Sequence, residues 1–392
     1  MPIVNRIAAL SDDMAAWRHD FHEHPELLYD VHRTAGIVAD KLREFGCDEV
    51  VRGIGRTGVV GVIRGRKSTS GKTIGLRADM DALPITETSG VSYASKTPGL
   101  MHACGHDGHT AMLLGAAKLL SQSRDFDGTV YFIFQPAEEN DGGGMRMIND
   151  GLFERFPMQA VHAVHNWPGL AFGTIAVRTG PMMAAVDTFE LSFCGTGAHA
   201  AMPHLGDDPI LAAGEFVGAV QSVVSRAADP QAPLVVSITQ IHGGNVGNIV
   251  PTEVWLQGTC RFFEPALSAL CERRIGAIAS GIASAHGLEA KLTYRRGYPP
   301  VINGPEAAAS GAAAARIAVG ADQVSTEFAP SMGCEDFAYM ARAANGAYAW
   351  IGAGEVGPGE GLHGNRYVFN DAIVPIVLRY FTSLIGSVLP KG

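Results

Sequence analysis

A dense cluster of metal-ligand residue types occupies the segment His102-Ala-Cys104-Gly-His106-Asp107-Gly-His109. Cysteine sulfur and histidine nitrogen are ligands that zinc and related divalent ions accept at one centre. Cys104 and His106 are close enough along the chain to reach the same ion. Neighbouring histidines can also cap a helix, and a single cysteine can be a small core residue. The cluster by itself therefore leaves a metal site and a packing role open.

Two pairs of carboxylates follow strand-like apolar runs. Asp79 and Asp81 end the run that begins at Thr73, and Glu138 and Glu139 follow a second run. Adjacent carboxylates repel, so the glutamates suit a site in which one binds a metal and the other carries a proton. Either pair could instead cap a loop or lie solvated on the surface.

Two isolated histidines, His165 and His363, complete a possible ligand set. His165 ends another strand-like run, and His363 lies near the last helix. Donors for two divalent ions are thus supplied by Cys104, His106, Glu139, His165 and His363. With Glu138 beside them, the set predicts a hydrolytic site in which Glu138 takes a proton from water and the hydroxide attacks a carbonyl.

Two glycine-rich polar segments contain further candidates. His199 lies in residues 195–204 and Asn248 in residues 243–251. Both segments could be plain turns. As hydrogen-bond donors, His199 and Asn248 would also suit an oxyanion or a substrate carboxylate.

The elements that must position these residues alternate between strands and helices. Helical periodicity over residues 3–45, broken at His24-Pro25, predicts two opening helices, and another helix is predicted at about residues 108–121. Strands are predicted at residues 58–63, 73–78, 129–135, 160–165 and 174–179. Several of these runs are apolar throughout, which is typical of a sheet covered on both faces. The predicted class is α/β, with a mixed sheet flanked by helices.

The pattern changes between residues 183 and 298 to strand, helix, two strands, helix and strand, which is the ferredoxin-like order. This segment is predicted to be an inserted domain, with residues 1–182 and 299–392 forming one discontinuous domain around it. A length of 392 residues also favours more than one domain.

Composition excludes several classes of partner. Thirty basic against 39 acidic residues give a net charge of −9 without a basic patch, so we expect neither nucleic acid nor an anionic membrane as a partner. The start of the chain lacks the pattern of a secretory signal, and the six scattered cysteines are typical of reduced thiols. The sequence predicts a cytoplasmic protein that does not cross a membrane.

The motifs resemble the metal-dependent aminoacylase and carboxypeptidase family, in its branch of hippurate hydrolases, N-acyl-amino-acid amidohydrolases and auxin-conjugate hydrolases. The matching segments span nearly the whole chain: residues 17–26, 76–84, 101–109, 135–139, 195–203 and 248–251, then Glu335-Asp336-Phe337, Leu362-His363 and Phe369-Asn370-Asp371.

The resemblance implies a catalytic α/β domain, a lid domain that also dimerises, and two metal ions held by the ligand set above. Glu138 would be the general base, and His199 would reach the active site of the partner subunit, assisted by Asn248. Asp79 and Asp81 would orient the ligands. After His363 the chain departs from the family's usual Asn-Pro, and Arg366 there could pair with a substrate carboxylate or be an exposed loop cation.

The leading hypothesis is a dimeric two-metal amidohydrolase that cleaves N-acyl amino acids, with hippurate-like or other aryl-acyl compounds as substrates. The ion could be zinc, manganese, cobalt or nickel. An auxin-conjugate hydrolase or a dipeptidase of the same family is an alternative. Outside this class, the chain could be a cysteine hydrolase with Cys104 as nucleophile, or a non-catalytic peptide-binding module.

Overall fold

The computed structural model describes residues 3–391, which form two compact units. The first unit holds the chain up to Met182, Ile302–Ala329 and the chain from Asp336 onward. The second unit holds Met183–Val301 and Pro330–Glu335.

Strands and helices alternate along most of the chain. The strands are β1 Glu49–Ile54, β2 Gly58–Arg64, β3 Thr73–Asp79, β4 Thr129–Gln135, β5 Ala160–Pro168, β6 Ile175–Ala176, β7 Gly180–Met183, β8 Ala185–Cys194, β9 Ala198–His199, β10 Leu234–Gly243, β11 Ile249–Val250, β12 Glu253–Phe262, β13 Glu289–Arg296, β14 Val301–Asn303, β15 Val324–Ser325 and β16 Gly346–Gly354. The helices are α1 Ile3–Ala8, α2 Ser11–Glu23, α3 His32–Glu44, α4 His106–Ser123, α5 Gly143–Asn149, α6 Leu152–Arg155, α7 Pro209–Ala219, α8 Pro265–Ala285, α9 Pro305–Val319, α10 Phe337–Ala343 and α11 Val374–Val388.

The first unit is built on an eight-stranded mixed sheet in the order β1-β2-β4-β3-β5-β16-β6-β15. Its centre is parallel, since β3 pairs in parallel with β4 and β5, and β5 pairs in parallel with β16. Strands β3 and β4 are buried along nearly their whole length. This burial explains the apolar run of β4 and most of β3, in which Arg77 and Asp79 are buried charged residues. The predicted α/β class with a mixed sheet is confirmed.

Strands β3, β4 and β5 end at the same edge of this sheet, because they run parallel. Helix α4 packs against β3 and against α2, α3 and α11. Its N-terminus therefore comes to the strand ends at which open α/β sheets collect functional groups.

The second unit is a four-stranded antiparallel sheet with helices α7 and α8 packed on it. Its order, β10-β12-β8-β13, is that of the ferredoxin-like fold expected from the sequence. Strand β8 alternates between buried and partly exposed residues, and Phe189, Leu191 and Phe193 enter the core with Phe216 of α7.

Some local predictions differ from the structure. Three helices open the chain instead of two, because a turn at Ala9 and Leu10 separates α1 from α2. The strand predicted over residues 174–179 is only the two-residue β6, and short helices such as α10 are not predicted from the sequence. Helix α4 begins at His106 and not at residue 108, so part of the histidine cluster forms its first turn.

One helical segment among the described residues, Asp371–Val388, has the length and apolar composition that a membrane span needs. Half of it is buried, and α11 packs against α4 and α9 of the same unit. This packing is typical of a core helix in a globular protein, so the segment is weak support for a span.

His162 offers a test of the packing of β5. The residue is fully buried, and neither ring nitrogen has a hydrogen-bond partner within residues 3–391. Burial alone lowers the pKa of His162 to about 4. As the pH falls below about 6.5, the unfolded chain therefore takes up this proton before the folded protein does, and stability is lost.

We expect the free energy of unfolding of the wild type to fall ~2 kcal/mol more than that of His162→Phe between about pH 7.5 and about pH 5. Urea titrations at the two pH values, with chelator added to both proteins, measure this difference. An identical pH dependence of the two proteins would contradict the buried, neutral state of His162.

Candidate metal centre

The predicted ligand side chains come from separate segments that meet at the edge of the first sheet where the parallel strands β3, β4 and β5 end. His165 lies on β5, His106 begins α4, and Glu139 follows β4 after a short loop. Cys104 precedes α4. His363 lies on a loop, and its own backbone N–H donates to Ala103 O at 2.8 Å. The structure thus brings all five side chains to one place.

Among the described residues, five groups of donor atoms lie close enough to hold ions, with all atoms of a group within 4.8 Å of one another, and three of them consist of predicted ligands and Glu138. Cys104 belongs to two of these three groups and His106 to two, so the three groups are contiguous. They are Cys104 with His106 and His165, Cys104 with Glu139 and His363, and His106 with Glu138 and Glu139. Contiguous groups with shared donors are what a pair of neighbouring ions requires.

The histidines are oriented by hydrogen bonds from their Nδ1 atoms. Nδ1 of His106 donates to Asp81 O at 2.8 Å, and Nδ1 of His165 donates to Asn166 O at 2.6 Å. These bonds leave Nε2 as the atom of each ring that could bind a metal. Nε2 of His165 lies 3.4 Å from Cys104 Sγ, and the buried Nε2 of His106 has no hydrogen-bond partner in the described part of the chain.

The electrostatics of the cluster fit cations. Burial disfavours the charged ring of His106, yet Asp79 and Cys104 raise its pKa well above the ordinary value. Contacts with Cys104 and Glu139 raise the pKa of His363 to about 10. His106 is buried and His363 is exposed, and both attract protons strongly. Groups that do so would also stabilise metal ions. Together with the unpartnered Nε2 of His106, this shows that the residues present fit a divalent metal pair.

Asp81 sets the position of the two glutamates. Its carboxylate oxygens accept the backbone N–H groups of Glu138 and Glu139, each at 3.0 Å. The preceding residue, Ala137, has φ 52°, which is uncommon for a residue with a side chain. The two hydrogen bonds to Asp81 hold this tight loop and direct both glutamates to the site.

Asp79 supports the histidines. Its Oδ1 accepts from His109 Nδ1 at 2.7 Å, and its Oδ2 accepts from Arg77 Nη1 at 2.7 Å. Burial opposes its charge, but His106, His109 and Arg77 hold the pKa of Asp79 well below its usual range. Asp79 is therefore a buried carboxylate stabilised by cationic neighbours.

A buried polar chain behind the ligands was not assigned from the sequence. His109 Nε2 lies 2.7 Å from Asn166 Oδ1 and accepts the backbone N–H of Asn166 at 3.3 Å, and Asn166 Nδ2 donates to Tyr367 OH at 2.7 Å. Asn166 adjoins His165, and Tyr367 follows His363 at the point where the chain departs from the family pattern. Their positions beside predicted ligands were the available signal, but their mutual contact depends on tertiary structure.

Gly105 permits this arrangement. It has φ 92°, and a Cβ atom there would lie 2.4 Å from Asn166 Oδ1 and 2.7 Å from Tyr367 OH. Only glycine therefore fits between Cys104 and His106 without displacing the polar chain.

His199 and Asn248 lie in the second unit, where both are exposed. His199 is on β9, which pairs with β11. Strand β11 begins at Ile249, directly after Asn248. Nδ1 of His199 accepts the backbone N–H of Ala201 at 3.1 Å, so Nε2 carries the proton of the neutral ring. A groove of about 670 Å³ lies at this place, lined by His199 and the turn that precedes β11.

Arg366 is exposed, and its guanidinium donates to the carbonyl oxygen of Pro358 within the same loop. This contact agrees with the interpretation of Arg366 as a loop cation.

Comparison with known proteins agrees with these features. Residues 75–387 match the family described as "Peptidase family M20/M25/M40". The chain is 40% identical over 384 residues to a hippurate hydrolase of Campylobacter jejuni, covering 98% of each protein. It is 43% identical over 293 residues to an N-acyl-L-amino acid amidohydrolase of Geobacillus stearothermophilus, covering 74% of this chain and 78% of the relative.

Among solved structures, the YXEP protein of Bacillus subtilis, described as a dinuclear metal-binding peptidase of the M20 family, has a TM-score of 0.81 and 33% sequence identity. The match covers 98% of this chain and 100% of that protein.

The ligand set can be tested by measuring bound metal. In His106→Gln the Nε2 donor is lost, so we expect the zinc retained after desalting to fall by at least one ion per subunit, measured by mass spectrometry of the metal. His162→Phe is the matched control, since it removes another buried histidine of the same unit and should keep the wild-type metal content. Unchanged zinc in His106→Gln would exclude His106 as a ligand.

Proposed function

Because the chain belongs to peptidase family M20/M25/M40, we propose that it is a two-metal amidohydrolase that cleaves N-acyl amino acids to a carboxylic acid and a free amino acid. The observation that carries the proposal is the convergence of Cys104, His106 and His165 with Glu138 and Glu139 in contiguous donor groups. The relatives named hippurate hydrolase and N-acyl-L-amino acid amidohydrolase support this class of reaction.

The ligands would be Cys104, His106, Glu139, His165 and His363. When bound, two divalent ions supply Lewis acidity, which lowers the pKa of water and polarises a carbonyl group. The mixed thiolate, imidazole and carboxylate donors suit zinc, cobalt, nickel or manganese.

Glu138 would act as general base and then as general acid. Its neighbour Glu139 serves as a ligand, which leaves the Glu138 carboxylate available to accept the proton of the attacking water. The same carboxyl group would deliver that proton to the leaving amide nitrogen. The bonds from Asp81 to the backbone of both glutamates support this division of roles, because they fix the two side chains relative to each other.

His199 and Asn248 would act across a homodimer. In this proposal residues 183–298 form a lid and dimerisation domain, and residues 1–182 and 299–392 form the catalytic domain. The Nε2–H of His199 would then stabilise the oxyanion in the partner's active site, with Asn248 beside it. Exposed apolar residues of the second unit, including Ile210, Leu211 and Ile241, support a dimer interface there.

An aryl acyl group would fit beside His165. The half-buried ring of Trp167 lies 6.0 Å from the ring of His165, measured between centroids, and stacks on Trp350 at 3.9 Å. A flat aromatic surface next to a metal ligand favours benzoyl or indole-acetyl groups over short acyl chains. Benzoylglycine is therefore the first substrate to test.

Chelation and replacement of Glu138 test the reaction. We expect benzoylglycine hydrolysis to stop in excess chelator and to return with a divalent metal, and Glu138→Gln to lower kcat about 10²- to 10⁴-fold while it keeps the bound metal. Amino acid release across a panel of N-acyl amino acids, auxin conjugates and dipeptides is the measurement.

Full activity of Glu138→Gln would exclude Glu138 as the base. Activity without metal, with an acyl group trapped on Cys104, would favour the cysteine hydrolase. A metal-loaded protein that cleaves nothing in the panel would favour the peptide-binding module.

The aryl subsite has its own test. Trp167→Ala removes the aromatic surface, so we expect KM for benzoylglycine to rise about tenfold and KM for acetylglycine to change less than about twofold. Equal changes for both substrates would exclude Trp167 as a specificity determinant.

A further inference from the structure

The motif Glu335-Asp336-Phe337 has no role in the reaction proposed above, yet the side chain of Asp336 is fully buried beside the candidate site. We propose that Asp336, held by Arg77 and Gln135, is a positioning residue that fixes the carboxylate of Glu138. This inference rests on the proposed function, because it gives Glu138 the role of the base.

The carboxylate of Asp336 is anchored from three sides. Its Oδ1 accepts from Gln135 Nε2 at 2.7 Å and from Arg77 Nη2 at 3.1 Å. Its Oδ2 accepts from the backbone N–H of Gly144 at 2.7 Å. Hydrogen bonds to a buried charged group are stronger than those between neutral groups, so Asp336 has little freedom to move.

The backbone of Asp336 transmits this anchoring to the base. Its N–H donates to Glu138 Oε1 at 3.3 Å. The backbone N–H of Glu138 is held separately by Asp81. Glu138 is therefore fixed at its main chain by Asp81 and at its carboxylate by Asp336.

Arg77 joins the support of the base to the support of the metal ligands. The guanidinium is 1% exposed and donates to Asp79, Gln135 and Asp336 through different nitrogens. Asp79 in turn holds His109. A planar guanidinium can bind several acceptors in fixed directions, which lysine cannot do. One buried cation thus relates the position of Glu138 to that of the histidine cluster.

Asp336→Asn tests the proposal because it keeps the size of the side chain but removes its charge and one acceptor. A small displacement of a reacting group can cost about 100-fold in rate. We expect kcat for benzoylglycine to fall about 10- to 100-fold, KM to change less than about threefold, and the bound metal to stay at the wild-type level.

Two further variants separate positioning from general destabilisation. A Cβ atom at Gly144 would lie 3.2 Å from Asp336 Oδ2 and from Gln135 Oε1, so Gly144→Ala presses on the network. This pressure should lower kcat at least threefold. Because alanine is a better helix former than glycine, the melting temperature should not fall. Asp127→Asn is the control, because Asp127 also anchors backbone N–H groups, those of Thr69 and Ser70, in a loop before β3. It should leave kcat unchanged.

The outcomes distinguish this inference from the proposed function. A wild type that hydrolyses no N-acyl amino acid with metal bound would overturn both. If the wild type is active, and Asp336→Asn and Gly144→Ala both fold with kcat within twofold of the wild-type value, the positioning role alone is overturned. If Asp336→Asn does not fold, Gly144→Ala decides by the same criterion. A fall in kcat that matches the loss of bound metal would also overturn it.

Discussion

Two aspartates buried at the end of β3 are the constraint on which the site depends. Asp79 and Asp81 are at most 1% exposed, and a carboxylate so far from water is stable only when several donors surround it. The donors come from elsewhere in the chain: the loop after β4 supplies two backbone N–H groups to Asp81, and α4 supplies His109 to Asp79. Satisfying these carboxylates therefore brings the glutamates and the histidines to the same place.

The same requirement explains the unusual backbone around the site. Ala137 and His363 have φ values of 52° and 63°, in the left-handed region that residues with a side chain seldom adopt. Such conformations cost about 1 kcal/mol or more and persist only where the surroundings impose them. At Ala137 the imposing contacts are the hydrogen bonds to Asp81, and at His363 a backbone bond to Ala103 contributes. Precise placement of the donor atoms thus depends on local strain that the rest of the fold maintains.

The two units differ in how completely they bury their sheets. In the first unit, helices and strands bury the central sheet so completely that charged groups such as Arg77 and Asp336 can be kept away from water and paired. In the second unit, strand β8 buries only alternate residues, and several apolar side chains remain exposed. The first arrangement suits a preorganised polar centre, and the second suits a surface that contacts another molecule.

Local sequence determined the fold class, the ferredoxin-like order of the second unit and the identity of the candidate ligands. Apolar runs report burial on both faces of a strand, and clustered histidine, cysteine and carboxylate residues report ligand chemistry, without knowledge of any distant contact. Only the tertiary structure decided which atoms face the site. Arg77 must reach Asp336, 259 residues further along the chain, and Asn166 must reach Tyr367 across 201 residues. Such contacts depend on the packing of separate segments around buried charges, and that packing has no local pattern in the sequence.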